Sequence, residues 1–382
     1  QSPFPEVVIR MTATRQRQLS PLDVVLFLVL AAGARQACVA DVRWTSATGG
    51  NWSVAANWSP AQVPGAGDNA LIDLAGTYTV TVNSNVTVTG LTLGGTTGTQ
   101  TLSLTGATFT LNGAGAVGAN GILELRGELA GTGELTVNGA VQWKAGGSMS
   151  GSGKTVIASI GTMTVEGDHG GITSRTLDNS GTVTWKGPGA NGRWDWDNCT
   201  FNNLSGATLD LQSNTSLYNY GAGSPVLNNA GTLKRTVGTG TATISVLFNH
   251  TGTCQVQTGT LNLTGGGTAS QPFTVASGAT LQIGGSTYNA DAGATFAGAG
   301  KTLVQNGKLS VNGTVSADAS HTVELRGELG GSGTFTLNGT MDWNAGGSMS
   351  GSGKTVIASG ATVTVQGDHG GLTSRTLDNS GT

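Results

Sequence analysis

The sequence predicts an all-β fold, a right-handed parallel β-helix (β-solenoid) with a tryptophan-rich N-terminal cap, and three observations predict it. Composition is the first: Gly supplies 64 of 382 residues, charged residues are 10% and aromatics 5%. Thr and Val favour strands, Gly, Asn, Asp and Ser favour turns, and the strong helix formers are scarce. The second is a recurring turn, "DNSGT" at Asp178, "NNLSGA" at Asn202, "NNAGT" at Asn228 and "NHTGT" at Asn249. Its asparagines Asn179, Asn203, Asn229 and Asn249 stand 24, 26 and 20 residues apart. The third is the strands between these turns, "TLDLQ", "TISVLF" and "TLNLTG", apolar at every second position. A strand–turn unit of this length cannot bury its own apolar face, but it can against a stacked copy of itself. An antiparallel sandwich would not explain one turn recurring at one-coil spacing.

Residues 1–40 come first. The first methionine is Met11, Arg15 and Arg17 lead into "VVLFLVLAAGA", and "CVA" ends at Ala40. That is the pattern of upstream residues followed by a secretion signal, since the apolar run is shorter than the roughly 20 residues of a membrane span. The chain beyond is therefore expected outside the cell or on its outer surface. Residues 41–75 carry Trp44, Trp52 and Trp58, expected to plug the open end of the first coil. Residues 76–382 read as coils, about 15 at roughly 23 residues each.

A longer repeat lies over the short one. At an offset of 200 residues, 121–182 returns as 321–382: "ELRGEL" at Glu124 and Glu324, "GDHGG" at Gly167 and Gly367, "TSRTLDNSGT" at Thr173 and Thr373. The second copy stops where the first continues into "VTWKGPGANGRW", so the chain reads as truncated, its partners including further domains of its own longer chain.

The run "WTSATGGNWSVAANWSPAQVPGAGDNALID" from Trp44 to Asp73, then "GTYTVTV", then "GSGTFTLNG" with a tryptophan and "GGSMSGSGKT", resembles large bacterial secreted β-helix proteins. These are autotransporter passengers and adhesin-like surface proteins. The resemblance covers Asp41 to Thr382 and implies architecture and a structural or adhesive role. It brings no catalytic motif, so no catalytic residue is assigned.

The residues that tempt a chemical reading are few. Gly151-Ser152-Gly153-Lys154-Thr155 imitates a phosphate loop, yet Ser148 stands where GxxxxGK[ST] needs glycine and a strand-like run follows. No nucleotide is expected. Glu124, Arg126 and Glu128 alternate with leucines and are expected on one face as a solubilising charge ladder. Asp168-His169 and Asp368-His369 lie in glycine turns with no nucleophile beside them. Cys199 and Cys254 could pair but make no framework. No spacing suits a metal, and no cofactor is implied.

"GPGANGRWDWDNC", Gly187 to Cys199, is the most individual stretch. Trp194 and Trp196 share one strand face and Asp195 and Asp197 the other. Outward indoles beside Arg193, Asp195 and Asp197 would suit a sugar ring. Net charge is -3, so no basic surface recommends nucleic acid or anionic membrane. The reading is a secreted or cell-surface adhesin-like solenoid that binds polysaccharide or extracellular matrix. A polysaccharide-degrading enzyme is the rival, requiring Arg193, Asp195, Asp197 and Asp210 to converge. An ice-binding solenoid built on TxT rows such as Thr77, Thr79 and Thr81 is a third.

Overall fold

Four-residue strands whose burial alternates, as in Thr182–Trp185 and Thr232–Arg235, have one face to hide and one to show. The computed structural model, which describes residues 39–168, 170–187, 192–367 and 370–382, hides that face by coiling. It is a parallel β-solenoid of about 14 stacked turns. The one helical element among the described residues is the 3-10 turn Ala55–Asn57.

Each turn contributes a strand to three ladders. The first climbs from Ala40–Trp44 through Asp68–Ile72 and, by way of Glu134–Val137, to Thr176–Asn179 and Thr200–Asn203. The second carries Ala140–Trp143, Thr162–Val165, Thr182–Trp185 and Thr208–Leu211. The third carries Ser148–Met149, Gly171–Thr173, Arg193–Asp197 and Ser216–Asn219. The long strand Gly121–Ala130 serves two ladders, pairing with Ala140–Trp143 on the second and Ser148–Met149 on the third. It turns the corner where the register shifts between Arg126 and Glu128.

That corner corrects one expectation. Glu124, Arg126 and Glu128 do not share a face: Glu124 lies on the second ladder, Glu128 on the third and Arg126 at the bend. Arg126 donates from Nε to Glu124 Oε1 at 2.8 Å.

The 200-residue repeat does not close on whole turns. Glu134–Val137 belongs to the first ladder, but its counterpart Thr334–Leu337 belongs to the second. Ala140–Trp143 and Thr340–Trp343 likewise fall on the second and third, Ser148–Met149 and Ser348–Ser350 on the third and first. The copies are 28 strands apart, nine turns of three and one strand over. Repeated sequence therefore meets different neighbours and shows itself on a different face.

The core is a column of Leu, Val, Ile and aromatic side chains that runs through every described turn. At its N-terminal end Trp58 packs edge-on against Trp44 and Trp52, with ring centroids 4.9 and 4.7 Å apart. The strand Trp58–Ser59 pairs antiparallel with Ala40–Trp44 and covers part of its free edge. An open edge there would offer unpaired N–H and C=O groups to other chains.

Candidate functional site

Alternation fixes which side chains of Arg193–Asp197 can meet a ligand. Its inward positions are Trp194 and Trp196, 1% and 0% exposed. Trp194 lies 5.4 Å from Trp143 and 5.3 Å from Trp196, and Trp196 stacks on Phe201 at 5.7 Å. These indoles are core, so the expected stacking of a sugar on them is corrected. Their parity matches Ile172 below and Leu217 above, and turning them outward would leave a hole across several turns.

The outward positions build something else. Arg193 Nε forms an ion pair with Asp195 Oδ1 at 2.8 Å, and the guanidinium lies 4.9 Å from the Tyr218 ring and 5.3 Å from the Tyr220 ring. Tyr218 is in register with Asp195, and the Tyr220 N–H donates to the Trp196 carbonyl at 3.0 Å. Both phenol rings reach solvent, Tyr218 41% and Tyr220 65% exposed. Asp197 Oδ1 accepts from the Gly223 N–H at 3.0 Å. A Cβ on Gly221 would sit 2.1 Å from the Asp197 carboxyl carbon, so glycine there is what lets the loop close round the carboxylate.

Below these groups the third ladder narrows. Ser148–Met149 and Gly171–Thr173 are short, and Gly147 and Gly170 leave no room for a Cβ against the Trp143 indole. The result is a shallow groove of about 400 Å3 on the third ladder, with Glu128 on the far rim and Arg193, Asp195, Asp197 and Tyr220 on the near one. Glu128 Oε2 accepts from Thr108 Oγ1 at 2.9 Å. Sequence reasoning missed the tyrosines, although "SLYNY" has Leu217 on the inward parity and so puts Tyr218 outside.

The other residues singled out fall elsewhere. Asp210 lies on the second ladder, accepting from Gln212 and Thr236 beside Lys234, so it does not converge with Arg193, Asp195 and Asp197. Asp168 Oδ1 accepts from the Arg193 N–H at 3.1 Å. His169, Asp368, His369, the secretion signal and residues 188–191 lie outside the described residues. Cys199 and Cys254 are buried and unpaired. Burial pushes the Cys199 thiol up to about 12 and raises Cys254 as well, which leaves both unreactive as thiolates. Among the described residues no group of three or more acid, His or Cys side chains gathers to hold a metal. Threonines stack in single columns, as Thr162, Thr182, Thr208, Thr232 and Thr253 do, but the next outward column reads Gln142, Thr164, Thr184, Asp210, Lys234 and Gln255. A two-wide threonine array is not formed there.

The phosphate-loop mimic has the wrong polarity for a phosphate. Arg175 of the next turn enters the core and donates to the carbonyls of Gly131, Gly133, Ser150 and Lys154 and to Thr155 Oγ1, at 2.9–3.4 Å. The glycine turns aim oxygens at a cation, where a phosphate needs N–H groups and a helix N-terminus. Lys154 Nζ pairs with Asp178 Oδ2 at 2.7 Å.

The asparagine turns form two columns. Inside, Asn179 Nδ2 donates to Asn203 Oδ1 at 2.8 Å, Asn203 Nδ2 to Asn229 Oδ1 at 2.7 Å, and Asn229 Nδ2 meets His250 Nδ1 at 3.1 Å. Outside, Asn202 donates to Asp178, Asn228 to Asn202 and Asn249 to Asn228, at 2.8–3.0 Å. Asn249, expected with the first three, stands one residue off in the outer column, and His250 takes the fourth inner place.

No protein-family model matches this chain, and no curated protein matches it. Among solved structures, the "TibC-catalyzed hyper-glycosylated TibA55-350 fragment" is similar over 87% of this chain and 99% of that one, at 16% identity and a TM-score of 0.28. A likeness at that level bears on neither activity nor partner. The fold defines the class as a parallel β-solenoid with polar columns on its faces and an acid-rimmed groove on its third ladder.

Proposed function

We propose that the chain is a secreted or cell-surface solenoid with a structural, adhesin-like role, which engages polysaccharide or extracellular matrix through many weak contacts along its faces. One observation carries the reading. Outward polar side chains repeat in register turn after turn, as in the Asp178–Asn202–Asn228–Asn249 column. A polymer with its own repeat can meet such a surface many times, and affinity then grows by avidity. Among the described residues no helix is long and apolar enough to cross a membrane. The signal-like run before Ala40 supports export. The separation of Asp210 from the Arg193 cluster weighs against the enzymatic rival, which needs carboxylates on one cleft.

The test is density-dependent adhesion. Beads carrying the protein at rising density are applied to polysaccharide and matrix surfaces. Retention should rise more steeply than in proportion to density. No retention at any density, or release of reducing ends from a polysaccharide, would overturn the proposal.

A further inference from the structure

We infer that the groove on the third ladder is a binding site for a short neutral saccharide, a proposal that rests on the adhesive reading and locates its contact. The aromatic inventory is the first ground. Every described Trp and Phe is buried, as are Tyr78 and Tyr288, whereas Tyr218 and Tyr220 face solvent. A chain that hides every other described ring leaves these two against the same guanidinium, Arg193, with Tyr220 lining the groove and Tyr218 in register with its Asp195. An exposed ring is a platform for the C–H face of a sugar, and its hydroxyl serves the polar edge.

The second ground is preorganisation. Arg193 holds both rings from one side, and Asp195 holds Arg193. The Gly221–Gly223 loop holds Asp197. Side chains fixed before the ligand arrives cost less ordering on binding. The third ground is charge. Glu128, Asp195 and Asp197 stand against the single cation Arg193. Their oxygens suit hydroxyl donors and repel uronate or sulfate, which selects a neutral sugar. A volume of about 400 Å3 falls within the range of small-ligand clefts, roughly 300–1,000 Å3.

The experiment titrates the intact chain, by calorimetry and saturation-transfer NMR, with neutral gluco-, manno- and galacto-oligosaccharides of two to four units. Oligouronates, sulfated oligosaccharides and amine-bearing chitosan oligomers form the comparison arms. At least one neutral series should bind. Tyr220→Ala should weaken it about tenfold through lost ring contact, Tyr218→Ala and Arg193→Met should weaken it as well, and Asp210→Asn on the second ladder should not. The tyrosines are exposed, so circular dichroism and melting of their variants should match the parent. Tighter binding of an acidic or amine-bearing oligomer would overturn the inference, and so would neutral binding unchanged in Tyr218→Ala/Tyr220→Ala. If no oligosaccharide binds while the bead assay still shows adhesion, the groove inference fails and the adhesive reading stands. If oligosaccharide binding needs the tyrosines but beads never adhere, the groove stands and the adhesive reading fails.

Discussion

Replacing Asn203 with leucine keeps the side chain's approximate size and deletes its polar atoms at the middle of the inner column. Asn203 is 0% exposed. Its amide donates to Asn229 Oδ1 at 2.7 Å and to the Thr232 carbonyl at 3.0 Å, and it accepts from Asn179 Nδ2 at 2.8 Å. Asn179 Nδ2 keeps a second acceptor, the Thr208 carbonyl at 2.9 Å, so it is only partly orphaned. Two buried acceptors lose this donor outright, at about 1–3 kcal/mol each, and carbonyls with a second lone pair fall at the lower end. The expected cost is about 2–4 kcal/mol. Stacked turns do not all unfold together, so the assay is native-state hydrogen exchange resolved by turn. At about 1.4 kcal/mol per decade, amides between Asn179 and His250 should exchange roughly 30- to 1,000-fold faster, and those beyond Thr314 should change little. Asn202→Leu, in the half-exposed outer column, should cost about 1 kcal/mol or less. Equal exchange in the parent and both variants would refute the claim that the inner amides are closed to water and paired with one another.

Three further outcomes follow from the same packing. Arg175→Ala should cost at least about 3 kcal/mol in denaturant midpoint, since it strands several carbonyls and leaves a cavity; an unchanged midpoint would show that the guanidinium is not buried there. Trp194→Ala should destabilise by about 3–5 kcal/mol, and a folded variant with the parent's melting curve would place that indole outside the core. Acid should weaken the fold through His250 and His321. Burial lowers both imidazoles below the ordinary 6.5, outweighing the opposite pull of the carbonyls that the rings meet, Pro272 for His250 and Gly298 for His321. A lowered folded-state pKa means stability that is complete above about 6.5 and falls as pH drops through and below that value. The carboxylates Glu124, Glu166, Glu324 and Glu328 are lowered from 4.5 and act in a more acidic window. Urea midpoints should therefore decline between pH 7.5 and 5.0, and less so in His250→Asn/His321→Leu; an identical decline in both proteins would contradict the assignment.

Much of this architecture was legible in the sequence because coil stacking leaves a one-dimensional signature. The turn around Asn179, Asn203 and Asn229 recurs at one-coil spacing because each amide bonds its neighbour one turn away. The fourth place was misread by one residue. Aligned on their second letter, "DNSGT", "NNLSGA", "NNAGT" and "NHTGT" put histidine in the column, and an imidazole with one donor and one acceptor nitrogen can continue it. Parity told which residues of Arg193–Asp197 shared a side but not which side faced water. That depended on Trp143, Trp185 and Phe201 gathering at the same level from other strands. Nor could the offset of 200 residues show that the copies land on different faces. That depends on how many residues each intervening turn spends, and here 200 residues hold 28 strands, one more than nine turns of three.

The central claim is parallel stacking in register, and pulsed electron–electron spin resonance tests it most directly. One column of the second ladder runs Gln142, Thr164, Thr184, Asp210, Lys234, Gln255, Thr274 and Ala297. Spin labels at Gln142→Cys with Gln255→Cys, and at Gln142→Cys with Ala297→Cys, are separated by five and seven steps, with Cys38, Cys199 and Cys254 replaced by Ala. At about 4.8 Å per turn their separations should centre near 24 and 34 Å, before the few ångströms of label reach. Distances in that order with that increment are what the stacked ladder requires. A second distance equal to or shorter than the first, as antiparallel hairpins folding back would give, would contradict it.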